Sequence, residues 1–528
     1  MTPIVPEHDR LADYVRHWAA AAPDAPAWAF GDAVATYAEL SAQVDAVARA
    51  LLAAGVRRGD RVAMLTTPRP EFWQTFLACA SVGAVWVGLN PRYRLGEMEH
   101  VVTDSRPVLL LALARAEDRE FGDDARAVAE RGEVGSVVLF GDGEPGWAAF
   151  LAAGAAVPDD ALEAARAAVT PDDAALIVYT SGSTGTPKGA VLGHRAICTC
   201  FRIQARHQSA SVLRVIANLP VNHIGGVGDL CCTPLVGGGT IVFQERFSPD
   251  AVFDAVERHR VTALMQVPTT LKLLSEHPRF ASADLSSLEA VHWGGGPLPA
   301  HVVRRYRRVA SRLGVTYGLT EITGSVTYSD PDASDEVLST TVGRPIPEID
   351  VRLAGPDGKD VGVGAEGEVQ VRHPGRMLGY FRNPDATLAA GTPDGYLRTG
   401  DVAVRRADGN LQLVGRQKEM FKSGGYNVYP REIELAVEAH PAVRMAAVVA
   451  VPDPVYDEVG VAFVECDAAA ALTPEDLHVW CRARLANYKI PKVFSLVSEL
   501  PLLPVGKIDK KALAARAAAE HPAGRAAG

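Results

Sequence analysis

Continuous apolar runs of strand length alternate with helix-spaced segments through most of the chain. Arg61-Val-Ala-Met-Leu65 and Ala84-Val-Trp-Val-Gly88 predict buried strands. Residues 72–80 between them predict a helix, as do 13–21 and 37–54. The alternation resumes from 211 to 330, with strands expected at 212–218, 240–243, 263–267 and 289–292 and a helix at 269–276. Strand, helix, strand at this spacing is the mark of parallel α/β units. From about Gly343 the pattern shortens to strands and turns (350–353, 367–371, 411–414), which predicts a small, partly antiparallel β unit. Beyond Arg416 it becomes α+β, with helices at 432–438 and 474–486 and a strand at 446–451. The expected fold class is therefore α/β. A large N-terminal region of several subdomains spans 1–415, a hinge 416–418, and a smaller, mobile α+β domain 419–528.

Composition narrows the class without changing that picture. A chain of 528 residues exceeds what one hydrophobic core organises, so two or more domains are expected. With 48% apolar and 22% charged residues it reads as globular. No apolar run approaches the roughly 20 residues that span a membrane, and residues 1–10 carry no secretion pattern. The seven cysteines are odd in number, scattered, and without zinc-ligand spacing, which fits reduced thiols in a cytoplasmic protein. A net charge of −10 argues against a general nucleic-acid binder. Arg304-Arg305-Tyr-Arg-Arg308 reads as a solvated helix face.

Candidate chemistry centres on Leu176-Ile-Val-Tyr-Thr-Ser-Gly-Ser-Thr-Gly-Thr-Pro-Lys-Gly189. A strand opens here into a loop of Ser, Thr, Gly and Lys, and a helical pattern resumes from about His194. A Gly-rich loop ahead of a helix offers N–H groups, hydroxyls and one ammonium to a polyphosphate. Gly182 and Gly185 would let the backbone approach the anion. Ser181, Ser183 and Thr184 would add donors, and Lys188 a compact charge. Pro187 before the lysine and Gly189 after it rule out a Walker loop. An ordinary surface loop has the same composition. In Tyr317-Gly-Leu-Thr-Glu321 the tyrosine could stack a base while Gly318 admits close approach, and Glu321 is a hard oxygen ligand suited to Mg²⁺. Asp401 could accept from the vicinal hydroxyls of a ribose, braced by Arg416. Both acids also suit plain structural duty, at a helix start and in a turn.

These elements occur in the order found in the adenylate-forming superfamily, which includes acyl-CoA synthetases, luciferases and peptide-synthetase adenylation domains. The loop at 181–188 closely resembles that superfamily's phosphate-binding signature, and 317–321 its Tyr-Gly-x-Thr-Glu element. The resemblance extends to Trp293-Gly-Gly-Gly296, Pro220-Val-Asn-His223, Gly415-Arg-Gln-Lys418, Phe421-Lys-Ser-Gly-Gly425 and Pro501-Leu-Leu-Pro-Val-Gly-Lys507. It implies ATP, Mg²⁺ and CoA as cofactors, with Tyr317 on adenine and Thr320 near the α-phosphate. It makes Gly294, Gly295 and Gly296 a backbone wall between adenine and the acid. Lys418 becomes the hinge, while Ser423, Gly424 and Gly425 line the route of the pantetheine arm. The catalytic set it implies is Lys507, Glu321, Thr180, Lys188 and His223, with Glu321 on the metal. Glu419 stands where relatives more often carry Asp, and Thr316 where many carry Gly, Asn or Asp.

The activity implied is that of an ATP-dependent acyl-CoA synthetase acting through an acyl-adenylate. Its partners are a carboxylic acid, ATP and CoA, without nucleic acid or an integral membrane segment, and a homodimer is compatible with it. The three glycines at 294–296 and Gly324 leave room for an elongated apolar acid, so a fatty acid is the first expectation and an aryl or alicyclic acid the second. Transfer to a carrier-protein phosphopantetheine is the enzymatic alternative. A nucleotide-binding sensor is the non-enzymatic one, disfavoured by the joint presence of Lys188, Glu321 and Lys507.

Overall fold

The computed structural model describes residues 5–116, 119–141, 143–180, 187–208, 211–296, 298–466, 472–503 and 508–521. The chain forms two compact units, Met1–Asp350 with Val371–Leu397, and Val351–Gln370 with Arg398–Gly528.

In the first unit the apolar runs become two sheets. A nine-stranded sheet carries Arg214–Ala217, Thr240–Phe243, Ala263–Gln266, Ala290–Gly294 and Arg312–Leu319 as its parallel centre. A seven-stranded sheet has Arg61–Leu65, Val85–Leu89, Leu109–Leu113, Ser136–Phe140 and Ala174–Thr180 in parallel. Strands buried on both faces explain the unbroken apolar runs. Helix Pro70–Val82 is apolar almost all round and buries every residue except Glu71. It needs that composition because it is packed on both sides. Its Phe72 ring lies 5.3 Å from Trp86 of one sheet and 6.4 Å from Phe243 of the other.

The second unit contains a four-stranded sheet (Asp350–Ala354, Glu366–Arg372, Leu397–Arg405, Leu411–Arg416) and a five-stranded one built on the long pair Val443–Asp453 and Asp457–Cys466. The short-strand texture expected after Gly343 is the first of these, and the α+β texture after Arg416 the second. The expected hinge at 416–418 lies inside this unit, between its two sheets.

Helix Ala300–Tyr306 exposes Arg304 and Arg305 and buries Tyr306, so the basic run is a solvated face. All seven cysteines are free, and six are buried. Among the described residues no helix is long and apolar enough to cross a membrane.

Candidate active site

Strands Ala174–Thr180 and Lys188–Gly193 pair antiparallel, with Thr180 opposite Lys188. Helix His194–Gln208 begins where the pattern puts it, but the strand Lys188–Gly193, unforeseen in the sequence, stands between the loop and that helix. Ala190 and Leu192 are fully buried, and pairing with the preceding strand satisfies the segment's backbone. Lys188 therefore stands at a strand end and not at a helix N-terminus. Ser181, Gly182, Ser183, Thr184 and Gly185 lie outside the described residues, as does Lys507.

Thr180 ends a central strand of one sheet, and Glu321 follows Arg312–Leu319 of the other. The two side chains meet, with Thr180 Oγ1 3.5 Å from Glu321 Oε1. Tyr380 completes the cluster and is the residue that sequence reasoning missed. It lies on Gly379–Tyr380, a short strand added to the edge of Lys188–Gly193, and its hydroxyl donates to Glu321 Oε1 at 2.9 Å. Lys188 Nζ stands 5.5 Å from the centre of the Tyr380 ring. Burial, and then the adjoining Glu321 carboxylate, push the Tyr380 hydroxyl well above its ordinary range, so it stays protonated and keeps donating. Just past Glu321, Thr323 adopts φ 64°, a costly conformation for a β-branched residue, and is tied down by its Oγ1 donating to Gly375 O at 2.6 Å. Among the described residues no three His, Cys, Asp or Glu gather for a metal. One carboxylate beside a hydroxyl nevertheless suits Mg²⁺, which usually takes one or two carboxylates and completes its shell with phosphates and water.

The elements expected at adenine lie at carboxyl ends of the parallel strands, where ligands of open α/β sheets bind. Ala290–Gly294 runs into Gly295 (φ 85°), and space is open beside its Cα. Gly294 pairs with Thr316, one residue before Tyr317. A side chain on Gly318 would collide with the Gly324 carbonyl 2.0 Å away, which accounts for that glycine sterically. Tyr317 and Thr320 are both largely buried.

His223 accepts from the Gly225 N–H at Nδ1 (3.0 Å), which leaves the proton of a neutral ring on Nε2. It precedes a π-helix, Gly225–Cys232, the kind of irregularity that recurs at functional sites. From Val221 to Val236 every residue is buried except His223 and Asp229. Burial pushes the Asp229 carboxyl up to about 6, partly opposed by a hydrogen bond from Gln204. A raised carboxyl pKa means that the fold loses stability as pH climbs from about 4 to 6, by on the order of 3 kcal/mol.

In the second unit, Asp401 pairs in register with Arg416, whose Nε donates to Oδ1 at 3.0 Å. Asp401 is buried and Arg416 half exposed. The structure thus brings together the two residues expected at a ribose. Burial, then Arg416, lowers the Lys418 pKa. Its neighbour Glu419 receives Lys510 Nζ at 2.9 Å, anchoring the start of helix Lys510–Glu520 three residues past Lys507. Phe421–Ser423 and Tyr426–Val428 form a hairpin in which Ser423 pairs with Tyr426. Gly424 (φ 56°) and Gly425 (φ 84°) make its two-residue turn, and only a type I′ turn places both residues there. The close-approach backbone expected at 423–425 is this turn.

A carboxylate–hydroxyl cluster at the carboxyl ends of parallel strands defines an α/β protein of the kind that binds its ligands there. Comparison with known proteins gives the family. The family model for AMP-binding enzyme matches residues 15–381, and that for its C-terminal domain residues 432–507. The chain is similar to feruloyl-CoA synthase of Amycolatopsis sp and Streptomyces sp, 38% identical over 92% of this chain and 95% of those proteins. It is 34% identical to indoleacetate–CoA ligase of Aromatoleum aromaticum, over 95% of this chain and 96% of that one. The crystal structure of ATP-bound MatB from Rhodopseudomonas palustris superposes with a TM-score of 0.84 at 28% identity, covering 97% of this chain and 99% of that one. The chain belongs to the AMP-binding enzyme family, the adenylate-forming superfamily. Within it, the protein is an AMP-forming acid–thiol ligase.

Proposed function

We propose that the protein activates an aryl or arylalkyl carboxylic acid and passes its acyl group to CoA. A carboxylate oxygen attacks the α-phosphorus of ATP, pyrophosphate leaves, and the CoA sulfur then attacks the acyl carbon as AMP departs. The observation that carries the activation step is the meeting of Thr180, Glu321, Tyr380 and Lys188. Glu321, with the Thr180 hydroxyl beside it, would hold a Mg²⁺ ion, whose charge offsets that of the phosphate oxygens. Lys188 and the 181–187 loop hold the departing pyrophosphate, and Lys507 places positive charge where carboxylate and α-phosphate repel. Positioning and electrostatics of this kind supply on the order of 10 kcal/mol. His223, whose Nδ1 accepts from the Gly225 N–H, would donate from Nε2 to the substrate carboxylate. The fatty acid first expected gives way to an aryl acid because the 38% and 34% identical relatives bear the names of aryl-acid ligases.

Acid-dependent pyrophosphate release over a panel of aryl and aliphatic acids, with CoA thioesters identified by mass, tests this reading. Aryl acids should give the highest kcat/KM, and thioester should form only when CoA is present. Fastest turnover of long aliphatic acids would reverse the substrate assignment, and no release with any acid would reject activation itself.

Lys507 and the 423–425 turn are assigned to successive half-reactions, so the chain must pivot between them, and Lys418 is the proposed pivot. Lys418→Pro fixes φ at that residue. It should leave acyl-adenylate formation within a few-fold of normal and slow thioester formation about a hundredfold or more, followed by single-turnover quench. Equal rates of thioester formation in variant and parent would remove Lys418 from that role.

A further inference from the structure

Thr180 turns its hydroxyl to Glu321, and successive strand residues face opposite ways, so Tyr179 points to the other face of its sheet. There it meets helix Leu95–Ser105, which the activation chemistry leaves unused. The Tyr179 ring crosses its strand partner Gly189, where a Cβ would lie 3.1 Å from the tyrosine Cζ. The glycine after Lys188 thus makes room for a tyrosine. The Tyr179 hydroxyl donates to Asp104 Oδ2 at 2.6 Å. Burial, and then the Asp104 carboxylate, push that hydroxyl well above its ordinary range, so it stays protonated and keeps donating.

One turn earlier on the same side of the helix stands His100. Its ring meets Tyr179 edge to face, with centroids 6.1 Å apart and planes at 84°. His100 Nε2 lies 2.9 Å from the Pro187 carbonyl oxygen, which can only accept, so Nε2 carries the proton and donates. Pro187 is the last residue before Lys188, and Tyr179 stands two residues before Ser181. The two bonds therefore hold both ends of the 181–187 connection from a single helix face. The helix is itself anchored, since Met98, Val101 and Val102 lie in the same apolar core as Ile177 and Tyr179.

We infer that Asp104 and His100 are positioning residues for ATP, setting the two ends of this connection so that its donors meet the departing pyrophosphate. The inference rests on the proposed activation step, in which the 181–187 loop and Lys188 hold that group. Closing a chain segment on an anion costs conformational entropy, most of all at glycine, and holding its ends beforehand lowers that cost. The helix thus acts on the nucleotide through the loop.

The test separates the two half-reactions. Asp104→Ala and His100→Ala should each raise KM for ATP about tenfold in acid-dependent pyrophosphate release, and the double variant roughly a hundredfold. KM for the acid should stay within a few-fold of normal. So should thioester formation from preformed acyl-adenylate, in which no pyrophosphate is held. Asp104→Asn still accepts from the tyrosine, and His100→Gln can still donate to the carbonyl, so both should recover most of the ATP affinity. Tyr179→Phe keeps the ring and removes only the hydroxyl. It should match Asp104→Ala, and it decides the matter if the alanine variants do not fold. An unchanged KM for ATP, or equal loss in both half-reactions, overturns the inference while leaving activation intact. So does failure of the conservative variants to recover. Absence of release with every acid in the parent enzyme overturns the activation reading and this inference together.

Discussion

Lys507→Ala should lower acid-dependent pyrophosphate release on the order of a thousandfold, yet leave CoA thioester formation from preformed acyl-adenylate within a few-fold of normal. The first half-reaction brings a carboxylate against a triphosphate, so charge accumulates where only a cation can offset it. Loss of one such preorganised group costs 10²–10³ in rate, and a full charge at the reacting atoms sits at the upper end. The second half-reaction starts from a mixed anhydride whose AMP leaving group is a weak base, and the incoming thiol needs no cation between carboxylate and phosphate. Both halves are measurable separately, by pyrophosphate release and by quenching synthetic acyl-adenylate with CoA. Equal loss in both would mean that Lys507 supports the fold or binds the nucleotide throughout, and the division of labour along the chain would fail.

That prediction comes from sequence alone, where legibility has a physical origin at some motifs and not at others. Motifs such as 181–188 and 317–321 are read locally because a backbone offered to phosphate demands glycine, with hydroxyl or ammonium donors within a few residues, whereas 501–507 is legible only through the family resemblance. Parallel strands buried on both faces announce themselves as apolar runs, and those at 61–65, 240–243 and 263–266 fall where the pattern puts them. Tyr380 stays hidden because it reaches Glu321 only through strand pairing, 59 residues away in sequence, and Gly379-Tyr-Phe381 has no periodicity of its own. Lys188–Gly193 escapes as a strand since glycines flank its short apolar core.

Tyr380 and Glu321 should fail together. Glu321→Ala removes the carboxylate proposed to hold Mg²⁺, with an expected loss on the order of a thousandfold in pyrophosphate release. Tyr380→Phe deletes one hydrogen bond to a charged acceptor, worth about 1.5–3 kcal/mol, so a loss of roughly ten- to a hundredfold is expected. The tyrosine touches the carboxylate and orients it, so its effect passes through Glu321. In the Glu321→Ala background, Tyr380→Phe should therefore cost less than threefold more. The Tyr380→Phe enzyme should also need several-fold more Mg²⁺ for half-maximal rate, because its carboxylate is less firmly aimed. Its loss should be the same from pH 6 to 9, since burial and the neighbouring carboxylate keep the parent hydroxyl protonated across that range. A full tenfold cost in the double variant, with unaltered Mg²⁺ demand, would show the phenol acting directly on substrate, and Glu321 would then hold the metal without its help.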